Sequence, residues 1–467
     1  MTSTTSWTTP GTAQAASLDG RSFTFSMPSD AELISGDLVV LATVDERRLC
    51  GQLHDKRLGA PGEAVGTGAV LGTIEDDVLR GGVIEPFASA TISGAPAPLW
   101  EAVQRGAGAT MPVGSARAGH AYLRPAGVNR HTFLCGQSGS GKSYALGVLL
   151  EQIILDTELP LVILDPNADF VRLGEPTEQA PPEVVDRLAD TRFDVLTART
   201  DAAATDRLCI RFDELSTQAK AAVLRLDPLA DREEYNALLD AAEQLHTRRG
   251  TDVVADLLAS AEPGAILLAE RMKNLGVLTW EVWAFEGTTL TDRLADQARV
   301  TVLDLGGFEL AEERLVVALE LLDNLWENRS SRQPTLIVID EAHNVCPAEP
   351  VTQLERATSE RLVQIANEGR KYGLWLLLCT QRPSRINPAV LSQCDNLALM
   401  RMNSRADLAQ LQETFGFVPA EMLAAAPFFR QGECLMAGGF TPVPTFVQIG
   451  GRRTHQGGSD VPVPLRG

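Results

Sequence analysis

Eight consecutive residues carry the strongest chemical signal in the chain. Gly136-Gln137-Ser138-Gly139-Ser140-Gly141-Lys142-Ser143 keep the spacing G-x-x-x-x-G-K-[ST]. Glycines so spaced let backbone N–H groups turn inward around phosphate oxygens. The lysine then reaches the β- and γ-phosphates, and the hydroxyl of the last residue ligates Mg²⁺. The apolar run "HTFLC" precedes the loop and "YALGVLL" follows it. A strand therefore feeds the loop, and a helix leaves it with its N-terminus toward the anion. This pattern implies ATP and Mg²⁺ as cofactors.

Three further apolar runs end in polar residues. "TLIVIDEAH" ends in Asp340-Glu341. An acid at Asp340 can hold the water shell of Mg²⁺, and Glu341 beside it is placed to polarise an attacking water. "LWLLLCTQRPS" ends in Gln381, within reach of both a γ-phosphate and that water. "LVILDPNADF" ends in Asp165, which either orients water or caps the turn that follows, as Asp-Pro sequences do. His343, in "DEAH", reads as a hydrogen-bonding residue at a strand end. The same spelling marks helicases with two RecA-like lobes, and the 86 residues after Gln381 are too few for a second lobe.

One lobe leaves one face of the nucleotide open, and NTPases of this kind close it with an arginine from a neighbour. "NEGRKYGL" offers Arg370, with Lys371, on a turn before the Gln381 strand. "VNRH" offers Arg130 at the far end of the strand that feeds the phosphate loop. A five-residue strand spans roughly 17 Å, so Arg130 is expected to face a neighbouring subunit rather than its own loop.

The elements that must position these residues follow from pattern. The chain has 467 residues, 44% hydrophobic and 22% charged, the profile of a globular protein. Residues 1–25 read as a flexible tail. Residues 26–118 alternate short apolar runs with turn signals and read as a small β-barrel or sandwich. Residues 119–450 read as an α/β core. Its strands at 161–165, 300–305, 335–340, 374–380 and 397–402 are nearly continuous apolar runs, as in a parallel sheet buried on both faces. A helical insertion is expected over about 175–295, and 451–467 reads as a second tail.

Net charge is −20, which excludes a generic nucleic-acid binder with a basic exterior but not a basic internal channel. No apolar run reaches membrane-span length, and the N-terminus has neither a basic nor an apolar leader region. The seven cysteines include no C-x-x-C pair, so buried thiols in a reducing cytoplasm are expected.

Taken together, "RHTFLCGQSGSGKS", "ILDPNADF", "VLDLGGFELAEER", "IVIDEAHN" and "NEGRKYGLWLLLCTQRPSRINPAVLSQCDN" resemble the HerA-type ring ATPases, in the wider group of HerA and FtsK translocases. The resemblance spans about residues 30 to 450, and the last segment is its most specific part. It implies a RecA-like P-loop core with an inserted helical subdomain and a small N-terminal β-barrel. It places Lys142 and Ser143 on nucleotide and Mg²⁺, and makes Asp340 and Glu341 the Walker B pair. Gln381 becomes the sensor, Arg370 the trans finger, Asp165 a catalytic-site acid and Arg130 a second site arginine.

The resemblance also implies a homo-hexamer that moves double-stranded DNA through its pore, with a nuclease or anti-phage effector docked on the barrel. An alternative is an ATP-gated scaffold ring that assembles an effector without moving DNA. A conjugation-type coupling ATPase would be expected to carry a membrane anchor. The family often has Asp-Pro-His-Gly-Glu where this chain has Asp165-Pro166-Asn167-Ala168-Asp169. Any DNA contact is expected to rest on a few pore cations, with Arg314, Arg382 and Arg385 as candidates.

Overall fold

The computed structural model describes residues 13–76, 78–199, 207–245, 250–284 and 287–458. The chain divides into two compact units. One comprises Met1–Val128, Gly136–Gln152 and Asp395–Gly451, and the other Asn129–Cys135, Ile153–Cys394 and Arg452–Gly467.

In the first unit, six antiparallel strands close on themselves. Their order is Gln14–Ser17, Ser22–Pro28, Glu63–Glu75, Arg48–Leu53, Leu38–Thr43 and Phe87–Gly94, which pairs back with the first. Closure removes the exposed edges that an open sheet of this size would carry. Alternation in "SFTFSMP" points Phe23, Phe25 and Met27 inward, against Ala15, Leu41, Leu49 and Leu53. The strand Glu63–Glu75 makes room for those rings with glycines. A Cβ on Gly68 would fall 2.3 Å from Phe23 Cζ, and one on Gly66 would fall 2.6 Å from Phe25 Cζ.

The barrel begins earlier than the sequence reading placed it. Residues 14–17 and 22–25 belong to its first two strands rather than to a tail; "QAAS" is too short and small-sided to read as a strand. Residues 1–12 lie outside the described residues. The barrel proper ends at Gly94 rather than 118. Helix Ala97–Gly106 then packs Leu99, Trp100 and Val103 on the barrel's outer face, against Leu38, Val40 and Cys50. Strands Met111–Ala116 and Gly119–Leu123 form a hairpin that pairs with Thr445–Ile449, which continues through Glu433–Gly438 to the strand Cys394–Met400. Gln52 ties barrel to sheet, its Nε2 donating to Pro444 O at 2.7 Å.

In the second unit, six strands run parallel in the order His131–Cys135, Leu374–Thr380, Thr335–Ile339, Leu161–Asp165, Val300–Asp304 and Phe193–Thr197. Every residue of four of them is buried, which is why they read as unbroken apolar runs. The segment expected to be a helical insertion does hold helices Pro182–Ala189, Thr217–Val223, Arg232–Leu245, Gly250–Ala259, Pro263–Leu275 and Leu290–Ala295. It also supplies Phe193–Thr197, the outermost parallel strand, whose half-exposed "FDVLT" gave no apolar run to read.

The expected C-terminal tail is docked as far as it is described. Thr454 bridges Pro176, and Gln456 Nε2 donates to Asp169 Oδ1 at 3.0 Å. The Arg452 guanidinium lies 5.8 Å from the Phe170 ring. Residues 459–467 lie outside the described residues. All seven cysteines are buried free thiols.

Candidate nucleotide site

The phosphate loop lies in the first unit and leads into helix Lys142–Asp156. Gly139 and Gly141 have φ of +73° and +94°, values that L side chains rarely adopt. The space a Cβ on Gly139 would enter is open, as an anion cradle requires. Its shape is fixed from behind. Gln137 N donates to Arg401 O at 2.9 Å, Asn403 N donates to Gln137 Oε1 at 3.2 Å, and Gly432 N donates to Ser140 O at 3.0 Å. Gly136 has no room for a side chain: a Cβ there would lie 2.7 Å from Met400 Cβ. Ser138 is exposed, Lys142 is buried, and Ser143 is half-buried on the first helical turn.

Asp340, Glu341 and Gln381 lie in the second unit, at the C-terminal ends of adjacent strands. Asp340 and Glu341 are 2% and 8% exposed. Glu341 adopts φ +46° and ψ +46°, a left-handed conformation uncommon for a side-chain-bearing residue. Its N–H donates to Asp340 Oδ1 at 2.9 Å. Gln381 Nε2 donates to Glu341 Oε1 at 2.6 Å. His343 Nδ1 lies 3.3 Å from Glu341 Oε2 and 3.0 Å from Thr380 Oγ1, which also accepts from Arg382 N at 3.0 Å. His343 is thus a strand-end hydrogen-bonding residue. Cys135, the last residue before the phosphate loop, is the register partner of Thr380, the last before Gln381.

Asp165 caps a turn. Its Oδ1 accepts from Asn167 N at 3.3 Å and Asp169 N at 3.0 Å, and its Oδ2 accepts from Phe170 N at 2.8 Å. Burial pushes its carboxyl up to about 7; the backbone donors oppose that rise, and the charges of Asp169 and Asp340 add to it.

The sequence reading missed Asp304, the register partner of Asp165 on the next strand. Asp304 Oδ2 accepts from Thr197 Oγ1 at 2.8 Å and lies 3.4 Å from Arg199 Nε; Oδ1 accepts from Gly306 N at 3.0 Å. The available signal was "VTVLD", which repeats the pattern of "LVILD".

Buried carboxylates that repel one another suit a hard divalent cation, which binds oxygen donors and relieves that repulsion. Among the described residues, no group of three or more His, Cys, Asp or Glu is placed to hold a metal by itself.

Arg130 and Arg370 stand at the opposite ends of these strands. Both are exposed, just ahead of the paired strands His131–Cys135 and Leu374–Thr380. His131 fixes the two elements together: Leu376 N donates to its Nδ1 at 2.9 Å, so its Nε2–H faces Ala366 O at 3.0 Å. Seven residues of strand, roughly 23 Å at the usual rise, separate Arg370 from Gln381.

A cleft of about 630 Å³ borders Asp340 and His343 and is also lined by Arg314, Ser384 and Arg385. Arg314 is oriented there by donating from Nη2 to Phe308 O at 2.7 Å. Arg382 is exposed on the segment that leads to this cleft.

A phosphate loop on a strand–helix junction and an Asp-Glu pair at the end of a parallel strand define a P-loop ATPase. Residues 112–325 match the family described as "Helicase HerA, central domain", and residues 287–402 match "ATPase family associated with various cellular activities (AAA)". The chain is a P-loop ATPase whose central part is similar to the HerA helicases.

It is 22% identical over 349 residues to "Probable helicase MJECL08" of Methanocaldococcus jannaschii, covering 69% of this chain and 66% of that one. It is 22% identical over 367 residues to "DNA double-strand break repair helicase HerA" of Pyrococcus furiosus, covering 69% and 65%. The chain therefore spans just under two thirds of the length of these curated relatives. The solved structure of VirB4 of Thermoanaerobacter pseudethanolicus shares the fold, with a TM-score of 0.52 at 14% identity over 74% of this chain and 97% of that one. Among the described residues, no helix is long and apolar enough to cross a membrane.

Proposed function

We propose that this chain hydrolyses ATP with Mg²⁺ as a homo-hexameric ring in the cytoplasm and drives double-stranded DNA through its pore. The observation that carries the ring is the separation of two groups across one sheet. Glu341 and Gln381 lie at the C-terminal strand ends, and Arg370 and Arg130 lie at the N-terminal ends. No side chain bridges a strand's length. The arginines therefore serve a nucleotide held by another copy, where a trans cation stabilises transition-state charge.

In this scheme the backbone of 136–143 and Lys142 bind the phosphates, and Mg²⁺ supplies charge neutralisation there. Glu341 takes the proton of the attacking water, Gln381 orients it, and Asp165 shapes the neighbouring turn. DNA is supported by the name of the Pyrococcus relative and by Arg314 and Arg385 on one cleft.

A nuclease or defence effector docks on the barrel, whose tip offers apolar side chains. Leu18, Val44 and Val83 are almost fully exposed on three loops that touch: a Cβ on Gly20 would fall on Ile84 O, and Arg47 Nη1 donates to Glu85 O at 3.2 Å. A second reading, an ATP-gated scaffold ring that never moves along DNA, is favoured by the net charge of −20 and by Glu349 and Glu355 on the same cleft.

Mixing subunits tests the trans assignment. Arg370→Ala and Lys142→Ala proteins, each inactive alone, regain ATP turnover when mixed, because one supplies the loop and the other the arginine. Mixed rings that form and stay inactive would remove the trans role.

A further inference from the structure

The turn that carries Arg370 is held by a side chain outside the nucleotide motifs. Helix Ala311–Glu327 ends in a 3₁₀ turn, Asn328–Ser331, and Arg370 sits on another, Gly369–Tyr372. Arg329 joins them. Its guanidinium carbon lies 4.3 Å from the centre of the Trp326 ring and 5.6 Å from that of Tyr372. Both distances are within the range of a cation–π contact. The two rings meet edge to face, with centres 5.9 Å apart and planes at 84°. Arg329 Nη1 also donates to Trp326 O at 2.7 Å, which fixes the plane of the guanidinium. Trp326 is 6% exposed and so provides a rigid wall. Among the described residues Arg329 forms no ion pair, although the chain carries 61 acidic residues against 41 Lys and Arg. Its charge is directed at two aromatic faces instead.

The backbone of the same turn is pinned on both flanks. A Cβ on Gly369 would lie 3.0 Å from Leu374 O, so no larger residue fits there without movement. Gly373 has φ +85°, and Thr335 N donates to its carbonyl at 2.8 Å. The exposed Arg370 therefore projects from a turn clamped at Gly369, Tyr372 and Gly373. An arginine that must reach a transition state across an interface gains most from such a clamp, because an ångström of misplacement can cost about a hundredfold in rate.

We propose that Arg329, gripped between Trp326 and Tyr372, is a positioning residue that aims Arg370 at the neighbouring subunit's nucleotide. This rests on the reading of Arg370 as a trans arginine, and the test separates the two.

Steady-state ATP turnover is measured for Arg329→Ala, Arg329→Lys, Tyr372→Leu, Arg370→Ala and the Arg329→Ala/Arg370→Ala pair, with Tm recorded for each. Arg329→Ala and Tyr372→Leu are expected to lower kcat about tenfold, within the misplacement range above, with KM for ATP unchanged. Arg329→Lys, which keeps a cation over the rings, retains most of the rate. The double variant is no slower than Arg370→Ala alone. Arg329→Ala subunits mixed with Lys142→Ala subunits regain turnover, because the Lys142→Ala copy brings an intact turn; a folding defect within the Arg329→Ala copy would not be repaired this way. If Arg370→Ala is inactive while Arg329→Ala and Tyr372→Leu keep wild-type kcat, the positioning role is overturned and the trans arginine stands. A loss in Arg329→Ala that mixing does not repair overturns it too. If Arg370→Ala itself keeps full turnover, the trans reading fails and this role falls with it.

Discussion

Gln381 Nε2 donates to Glu341 Oε1 at 2.6 Å, across the ends of two adjacent parallel strands. Gln381 and Glu341 are therefore coupled side chains. A change that moves the Gln381 strand end moves the carboxylate as well, and His343, 3.3 Å from the other carboxylate oxygen, limits where it can go.

Glu341→Gln keeps the size of the side chain and removes its basicity. ATP binding, followed with a fluorescent analogue, should persist while turnover falls by about 10²–10⁴, the usual worth of a positioned general base. Turnover at the wild-type rate would take Glu341 out of the chemistry.

Glu320 is 6% exposed, accepts from Thr291 Oγ1 at 3.0 Å, and is pushed up to about 7 by burial. Its acid is held above the unfolded value of 4.5, so the fold disfavours its charge. Stability from the neutral form is complete below pH 4.5 and declines as pH rises through 7. Glu320→Gln mimics the neutral acid. It should match the wild type near pH 4.5 in urea denaturation and exceed it by about 3 kcal/mol at pH 8. An equal difference at both pH values would show that ionisation is not the cause.

Asp323 is 5% exposed and is held by Arg361 Nε at 2.6 Å and Ser216 Oγ at 3.0 Å. Arg361→Ala leaves the carboxylate buried with only the hydroxyl, which should cost about 3 kcal/mol. Arg361 stands on helix Gln353–Glu368, directly before the Arg370 turn. A loss below about 0.5 kcal/mol, the size of an exposed pair, would mean that water reaches Asp323.

What the sequence carried was whatever depends on spacing along the chain. Gly136 to Ser143, Asp340-Glu341 and Gln381 stand out because each is an apolar run followed at once by polar groups. The buried strands are legible for the same reason. Phe193–Thr197 was not, because an outer strand with Asp194 in it lacks the apolar run. Asp304 and Thr197 matter through strand register, and Arg329 through contact with rings at positions 326 and 372, relations that no local pattern encodes. For Asp165 the sequence left two roles open, and three backbone donors now show it capping a turn. Arg452 and Gln456 sat in a Gly- and Pro-rich end that reads as tail, yet they dock on Phe170 and Asp169.

Weak, salt-sensitive DNA binding is expected of a chain this acidic, because phosphate contacts would rest on a few arginines and affinity falls with salt in proportion to their number. Arg314→Ala and Arg385→Ala should each reduce the salt slope of duplex binding by about one, leaving ATP turnover without DNA unchanged. An unaltered slope in both would place the DNA contacts elsewhere.

The most direct test of ATP-driven movement is displacement of a third strand from a triplex on a long duplex. Purified wild-type protein is assayed alone and with the products of the neighbouring genes, with Glu341→Gln as the control. Duplex DNA is expected to raise ATP turnover several-fold, and wild type to strip the third strand only with ATP and Mg²⁺ while Glu341→Gln does not. Active ATP hydrolysis with neither DNA stimulation nor displacement, in both forms, would contradict the translocase and leave the scaffold ring as the function.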